Sequence, residues 1–249
     1  MTRTRILITG ASSGLGAGMA REFARKGRDL ALCARRLELL EELRSELTTA
    51  HPDITVAVRA LDVDDHAAVP RVFAELRAEL GGLDRVIVNA GIGKGARLGT
   101  GRADANLATA TTNFVSALAQ AEAALEIFRG QDGGHLVLVS SMSAVRGLPG
   151  KKAAYSASKA GLAALGEALA TEFADSPIAV TTLLPGFIAT DMAAKAGDAQ
   201  LVAPLDKGVA AMVDAIERER RRACVPGWPW RLLDPVLPRL PDAVVRRLG

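Results

Sequence analysis

Six short apolar runs, rich in β-branched residues or leucine, recur at Arg5 to Thr9, Asp29 to Cys33, Thr55 to Ala60, Arg85 to Asn89, His135 to Ser140 and Ala179 to Leu184. Each has the length of a strand. Between them the apolar residues return at helical spacing, as in Leu37, Leu40, Leu43 and Leu47, or Val69, Val72, Phe73, Leu76 and Leu80. Strands alternating with helices of this length need crossover connections, and crossovers build a parallel sheet with helices on both faces. The expected fold class is α/β, a doubly wound parallel sheet in a single domain. No repeat, low-complexity linker or composition shift marks a boundary within the 249 residues.

Composition limits the partners. Apolar residues make up 49% and charged residues 24%, a balance that supplies a core and argues against disorder. The formal net charge of +3, from 31 basic and 28 acidic residues, is too small to imply nucleic acid. Cys33 and Cys224 form no framework, and His51, His66 and His135 lack metal-ligand spacing, so neither a structural disulfide nor a metal is expected. The start of the chain runs directly into the first strand without the apolar core of a signal peptide, and no apolar stretch reaches the roughly 18 residues of a membrane span. A cytoplasmic protein is the default expectation.

Immediately after the first strand comes Thr9-Gly10-Ala11-Ser12-Ser13-Gly14-Leu15-Gly16, followed by a helical segment through Arg25. Glycines there permit positive φ and close backbone approach, so that amide groups and the dipole at the helix start can face a pyrophosphate. Further along, Tyr155 and Lys159 lie four residues apart, on one face of a helix if the stretch is helical. A phenol titrates near pH 10 by itself, and a neighbouring ammonium is expected to lower that value and make Tyr155 a general acid/base. Tyr155 is the only tyrosine in the chain.

The Thr-Gly-x-x-x-Gly-x-Gly spacing, together with Asn89-Ala90-Gly91 and Tyr155-x-x-x-Lys159, resembles the short-chain dehydrogenase/reductase family, with the resemblance running from Thr9 to about Met192. It implies a Rossmann-like fold and an oxidoreductase that interconverts a carbonyl and a secondary alcohol by hydride transfer. It implies that Gly10, Ser12, Ser13, Gly14, Leu15 and Gly16 hold the cofactor, with Asp62 and Val63 at the adenine and Asn89, Ala90 and Gly91 along the cleft. Tyr155 and Lys159 would also hold the ribose. Pro185, Gly186, Ile188 and Thr190 match the segment beside the nicotinamide, with Thr190 alternatively capping a helix that begins near Asp191. Asn113 matches the asparagine that fixes a backbone kink and completes a proton relay with the lysine. The family's serine stands thirteen positions before the tyrosine, where this chain has Met142, consistent with a loop from Gly147 to Lys152 one residue longer than usual. Ser141 is the first choice, Ser143 the alternative and Ser140 the third.

At the end of the second strand, where a carboxylate would bind the ribose of NAD, the chain reads Cys33-Ala34-Arg35-Arg36. A guanidinium binds a 2′-phosphate through paired charge-assisted hydrogen bonds, so Arg35, with Arg36 beside it, points to NADP(H). A non-catalytic dinucleotide sensor or scaffold is the alternative function. Substrate choice is assigned to a loop region at about 187–210 and to a C-terminal tail at about 218–249, which carries the basic cluster Arg218 to Arg222 and then Trp228 and Trp230, and for which no secondary structure is predicted. The expected substrate is an apolar carbonyl or alcohol. The tail could instead lie on a membrane surface. Leu162, Leu165, Leu169 and Phe173 resemble the family's subunit-interface helix, implying a homodimer or homotetramer, although the same stripe suits a helix packed on its own sheet.

Overall fold

The structure, a computed structural model, describes residues 3–131, 133–190 and 202–246. Seven parallel strands form one sheet in the order β3-β2-β1-β4-β5-β6-β7. They are β1 (Arg5–Thr9), β2 (Asp29–Ala34), β3 (Val56–Ala60), β4 (Arg85–Val88), β5 (Gly134–Val139), β6 (Ile178–Pro185) and β7 (Arg222–Val225). The single-domain, doubly wound architecture is as expected. The seventh strand was not: four residues, opening on exposed Arg222, offer too short an apolar run to be read as a strand.

Side chains alternate across each strand and divide the core in two. Ile6, Ile8, Leu30, Leu32 and Ile87 meet α1 (Gly14–Arg25), α2 (Leu37–Ala50) and α7 (Leu205–Glu217) on one face. Leu7, Ala31, Val86, Val88 and Leu136 meet α3 (Ala68–Leu80), α5 (Ser116–Gly130) and α6 (Ala153–Glu172) on the other. The stripe on α6 is spent here: Leu162 and Phe173 are buried in this second core and Leu165 and Leu169 pack against it. Between β4 and α5, helix α4 (Ala103–Ala110) passes through a π turn, Thr111–Val115, before α5 begins.

The N-terminal end of the sheet carries a polar lock. Arg85 is fully buried and donates to Glu217 at 2.7 Å, to the carbonyl of Ile216 and, through Nε, to His135 Nδ1 at 2.9 Å. Arg28 also pairs with Glu217, at 3.0 Å. Because His135 Nδ1 accepts, its proton sits on Nε2 and is donated to Thr181 Oγ1 at 2.8 Å. Burial, reinforced by the charges of Arg85 and Arg3, holds the imidazole well below its ordinary value of 6.5. The unfolded chain therefore binds a proton near pH 6.5 that the native chain refuses, so His135 contributes stability that is complete above that pH and declines below it. Urea midpoints measured across this range should fall more steeply for the wild type than for His135→Gln; parallel curves would contradict the assignment.

The tail folds onto the C-terminal end of the sheet. Trp230, in the helix Gly227–Leu233, is buried with Met142 and Leu184 and meets Phe187 edge-to-face at 5.7 Å. A Cβ on Gly186 would run into its indole ring, so the glycine makes that seat possible. Arg222 pairs with Asp234 and anchors the helix to β7. Trp228, by contrast, is 76% exposed. Among the described residues no helix is long and apolar enough to cross a membrane.

Candidate active site

The strand order reverses between β1 and β4, and in open α/β sheets the crevice at such a switch point, beyond the strand C-termini, receives ligands. The first loop is built for close approach. Gly10 and Gly14 adopt φ of 64° and 55°. A Cβ on Gly16 would strike the carbonyl of Gly10, and one on Gly10 would come within 2.9 Å of Ala90 Cα. Ser13 precedes α1 without a side-chain cap, so the helix start and its glycine cradle suit a pyrophosphate. Leu15 packs against the first core.

Asn89 braces this loop. Its amide donates to the carbonyls of Thr9 at 2.9 Å and Gly10 at 3.3 Å, while Thr9 Oγ1 accepts the backbone N–H groups of Asn89 and Ala90. The side chain expected along the cleft is thus turned into the loop's support. Arg36 donates to Ser12 Oγ at 3.1 Å and Ser13 Oγ at 3.0 Å, bringing a cation to the rim of the glycine loop. Arg35, given more weight from the sequence, is exposed beside it.

Asp62 uses its carboxylate to accept the N–H of Asp64 at 3.2 Å, and Val63 is buried in the second core. Asp64, which sequence reasoning passed over, accepts Thr112 Oγ1 at 2.8 Å and Ser116 Oγ at 2.7 Å, tying this turn to both ends of the π turn. Only the acidic run Asp62, Asp64, Asp65 hinted at it. Asn113 lies inside the π turn. Its amide exchanges two hydrogen bonds with the backbone of Ile92, at 2.8 and 2.9 Å, locking the segment after β4 in place. A Cβ on Gly91 would lie 3.1 Å from Asn113 Oδ1 and 3.4 Å from Lys159 Nζ, so these three residues converge on one point.

Helix α6 carries Tyr155 and Lys159 on the face toward β5. Lys159 is buried and donates to the carbonyl of Val139 at 2.8 Å. Burial pulls its ammonium down to about 8. Ser140 Oγ donates to the carbonyl of Lys159 at 2.7 Å and is thereby spent on holding α6. Ser141 Oγ accepts the N–H of Ser143 at 3.1 Å and lies near enough to the phenol of Tyr155 to act on its ionisation. Of the three serines, Ser141 is the one whose hydroxyl acts on the Tyr155 phenol.

Tyr155 itself departs from expectation. Burial raises its phenol above the ordinary value of 10, and the Ser141 hydroxyl offsets only part of that. Lys159 was expected to lower it, but its ammonium is directed to Val139 and is itself desolvated. Both effects favour the protonated phenol over the phenolate.

On the far side of the crevice, Gly186 continues the pairing with β7 by donating to Val225, and Ile188 forms a parallel bridge with Ala203. That bridge uses the amide of Ala189 and the carbonyl of Phe187, and not the N–H or C=O of Ile188. Thr190 Cγ2 comes within 3.7 Å of where a Cβ on Gly14 would sit, so the segment from Pro185 closes on the glycine loop. The helix expected near Asp191, Met192 and the part of the expected substrate loop from residue 191 to residue 201 lie outside the described residues.

A parallel doubly wound sheet with a glycine cradle at its switch point, facing a Ser-Tyr-Lys cluster, defines a dinucleotide-binding oxidoreductase scaffold. The family model for short chain dehydrogenase matches residues 4–201, and the chain belongs to that family, whose members bind a nicotinamide dinucleotide and act on small molecules. An uncharacterized oxidoreductase of Mycobacterium tuberculosis is 59% identical over all 249 residues and 98% of its own length. A human 3-oxoacyl-[acyl-carrier-protein] reductase is 33% identical over 74% of this chain and 76% of its own. Among solved structures, levodione reductase superposes with a TM-score of 0.81 at 26% identity, covering 90% of this chain and 95% of that one.

Proposed function

We propose that this protein is an NADP(H)-dependent reductase of carbonyl compounds, with Tyr155 as the general acid and the same residue as base in the reverse direction. The observation that carries the reading is the gathering of Ser141, Tyr155 and a buried Lys159 at the C-terminal end of β5, with Lys159 and Asn113 converging on Gly91 beside the glycine cradle. When bound, the dihydronicotinamide supplies the hydride to the carbonyl carbon. Tyr155 gives its proton to the carbonyl oxygen, and Ser141 donates a hydrogen bond to the same oxygen as charge develops on it. The charge of Lys159, one helical turn along α6, would favour the phenolate so formed, and Asn113, clamped to Ile92, keeps the wall beside Lys159 and Gly91 in register. Lys159, with Tyr155, would also hold the cofactor's ribose.

Cofactor choice rests on the rim of the glycine loop. Gly10, Gly14 and Gly16 form the pyrophosphate cradle, while Arg36, held by Ser12 and Ser13, and exposed Arg35 are the cations available to a 2′-phosphate. No acid follows β2 until Glu38. Fluorescence titration should show NADPH binding at least about tenfold more tightly than NADH, with Arg36→Ala removing most of the difference and Arg35→Ala less. Equal affinities for the two cofactors would remove the NADP assignment, and binding of neither would favour a scaffold role. For self-association, Leu107, Val115 and Leu118 are exposed apolar side chains along α4 to α5, whereas the α6 stripe is already covered.

A further inference from the structure

A cleft of about 350 Å³ lies between the segment that follows β4 and the turn that leads into α6, and its lining is basic: Lys94, Arg97, Arg102 and Lys151 line it together with Thr100. Arg102 is paired with Asp104. Among the described residues, Lys94, Arg97 and Lys151 have no acidic partner, in a chain where most arginines do. The cleft is held in shape from below. Ala96 donates its N–H to Asn106 Oδ1 at 2.9 Å, and Gly95 fits so closely under the carbonyl of Lys151 that any side chain there would collide with it.

Its position relates it to the chemistry. Lys151 lies four residues before Tyr155, one helical turn away, in the turn Gly150–Lys152 that leads into α6. Lys94 lies two residues beyond Ile92, which Asn113 clamps. A substrate with its carbonyl at Tyr155 and its far end in this cleft would span about one to two helical turns, on the order of 5–10 Å.

We propose that this cleft is an anion subsite of the substrate site, receiving a phosphate or carboxylate that the substrate carries at that distance from its carbonyl. This rests on the reading of Tyr155 as the proton donor. It replaces the expectation of a wholly apolar substrate with one that is apolar near the reacting carbon and anionic at its far end. The cations are exposed, so the attraction is screened by salt and binding weakens as ionic strength rises.

The test is calorimetric titration of the NADPH-saturated protein, its glycine loop already filled, with inorganic pyrophosphate and separately with succinate. Binding of at least one anion, weakened roughly tenfold or more in the Lys94→Gln, Arg97→Gln, Lys151→Gln triple variant, supports the subsite. Stronger pyrophosphate binding assigns a phosphorylated substrate, and stronger succinate binding an oxo acid. The substitutions are at exposed positions, and NADPH titration of the triple variant verifies its fold. Binding of neither anion, or equal binding by wild type and variant, overturns the proposal. If NADPH itself fails to bind the wild type, the nicotinamide reading fails separately, and the difference between wild type and variant in anion binding still decides the subsite.

Discussion

Tyr155→Phe is expected to lower kcat/KM for carbonyl reduction by about 10²–10⁴-fold, the usual contribution of a positioned general acid. The substitution removes one hydroxyl and leaves the ring on α6, so the sheet and glycine loop are unaffected. Ser141 keeps its bond from the Ser143 N–H but loses the phenol. Lys159→Met should lose activity as well, with an opposite effect on stability. Holding an ammonium at about 8 instead of 10.5 costs the fold about 3 kcal/mol at neutral pH. Methionine relieves that cost and gives back only the hydrogen bond to Val139. For wild type, the unfolded chain binds more protons than the native chain between about pH 8 and 10.5, so Lys159 makes stability rise through that window. The variant lacks that rise, which paired urea denaturation curves at the two ends of the window would read.

Arg85→Ala is expected to be the most destabilising single change at the opposite end of the sheet, by about 3–5 kcal/mol. The guanidinium is fully buried and serves Glu217, the carbonyl of Ile216 and His135 at once. Its removal leaves Glu217 with Arg28 alone, takes the donor from His135 Nδ1 and opens a cavity between β4 and α7. For a chain of this size the loss corresponds to a fall in melting temperature of roughly 10 °C. Because Arg85 lies at the N-terminal end of β4 and Asn89 follows its C-terminal end, cofactor affinity at low temperature should survive. A loss under about 1 kcal/mol would mean that the network is no more than a surface ion pair.

The arrangement of strands and helices was legible because strand length, helical spacing and glycine position each report on local geometry. Asp29 to Cys33 and Leu37 to Leu47 could become β2 and α2 only in that order, and the Gly10 to Gly16 run had to lie at the end of the first strand. Strand β7 was not legible, because Arg222 to Val225 is held in place by pairing with Thr182 to Pro185 rather than by its own pattern. The polar lock was equally hidden: Arg85 and His135 read as ordinary strand-edge residues until β4 and β5 bring them side by side. Within the site, the spacing of Tyr155 and Lys159 gave their proximity but not their electrostatics. Which way Lys159 points is decided by the carbonyl of Val139, sixteen residues before Tyr155, and how far both groups are desolvated depends on packing. The choice among Ser140, Ser141 and Ser143 likewise needed the turn after β5, where one hydroxyl faces α6, another faces the phenol and the third residue offers its N–H.

The most direct measurement of the central claim is a single-turnover reduction of a panel of carbonyl compounds with NADPH deuterated at the transferring position, comparing wild type and Tyr155→Phe. The account predicts alcohol carrying one deuterium at the carbinol carbon, formed by the wild type across neutral pH and slowed at least about a hundredfold by the substitution. NADPH binding without any deuterium transfer, or transfer at the same rate in both proteins, would contradict it.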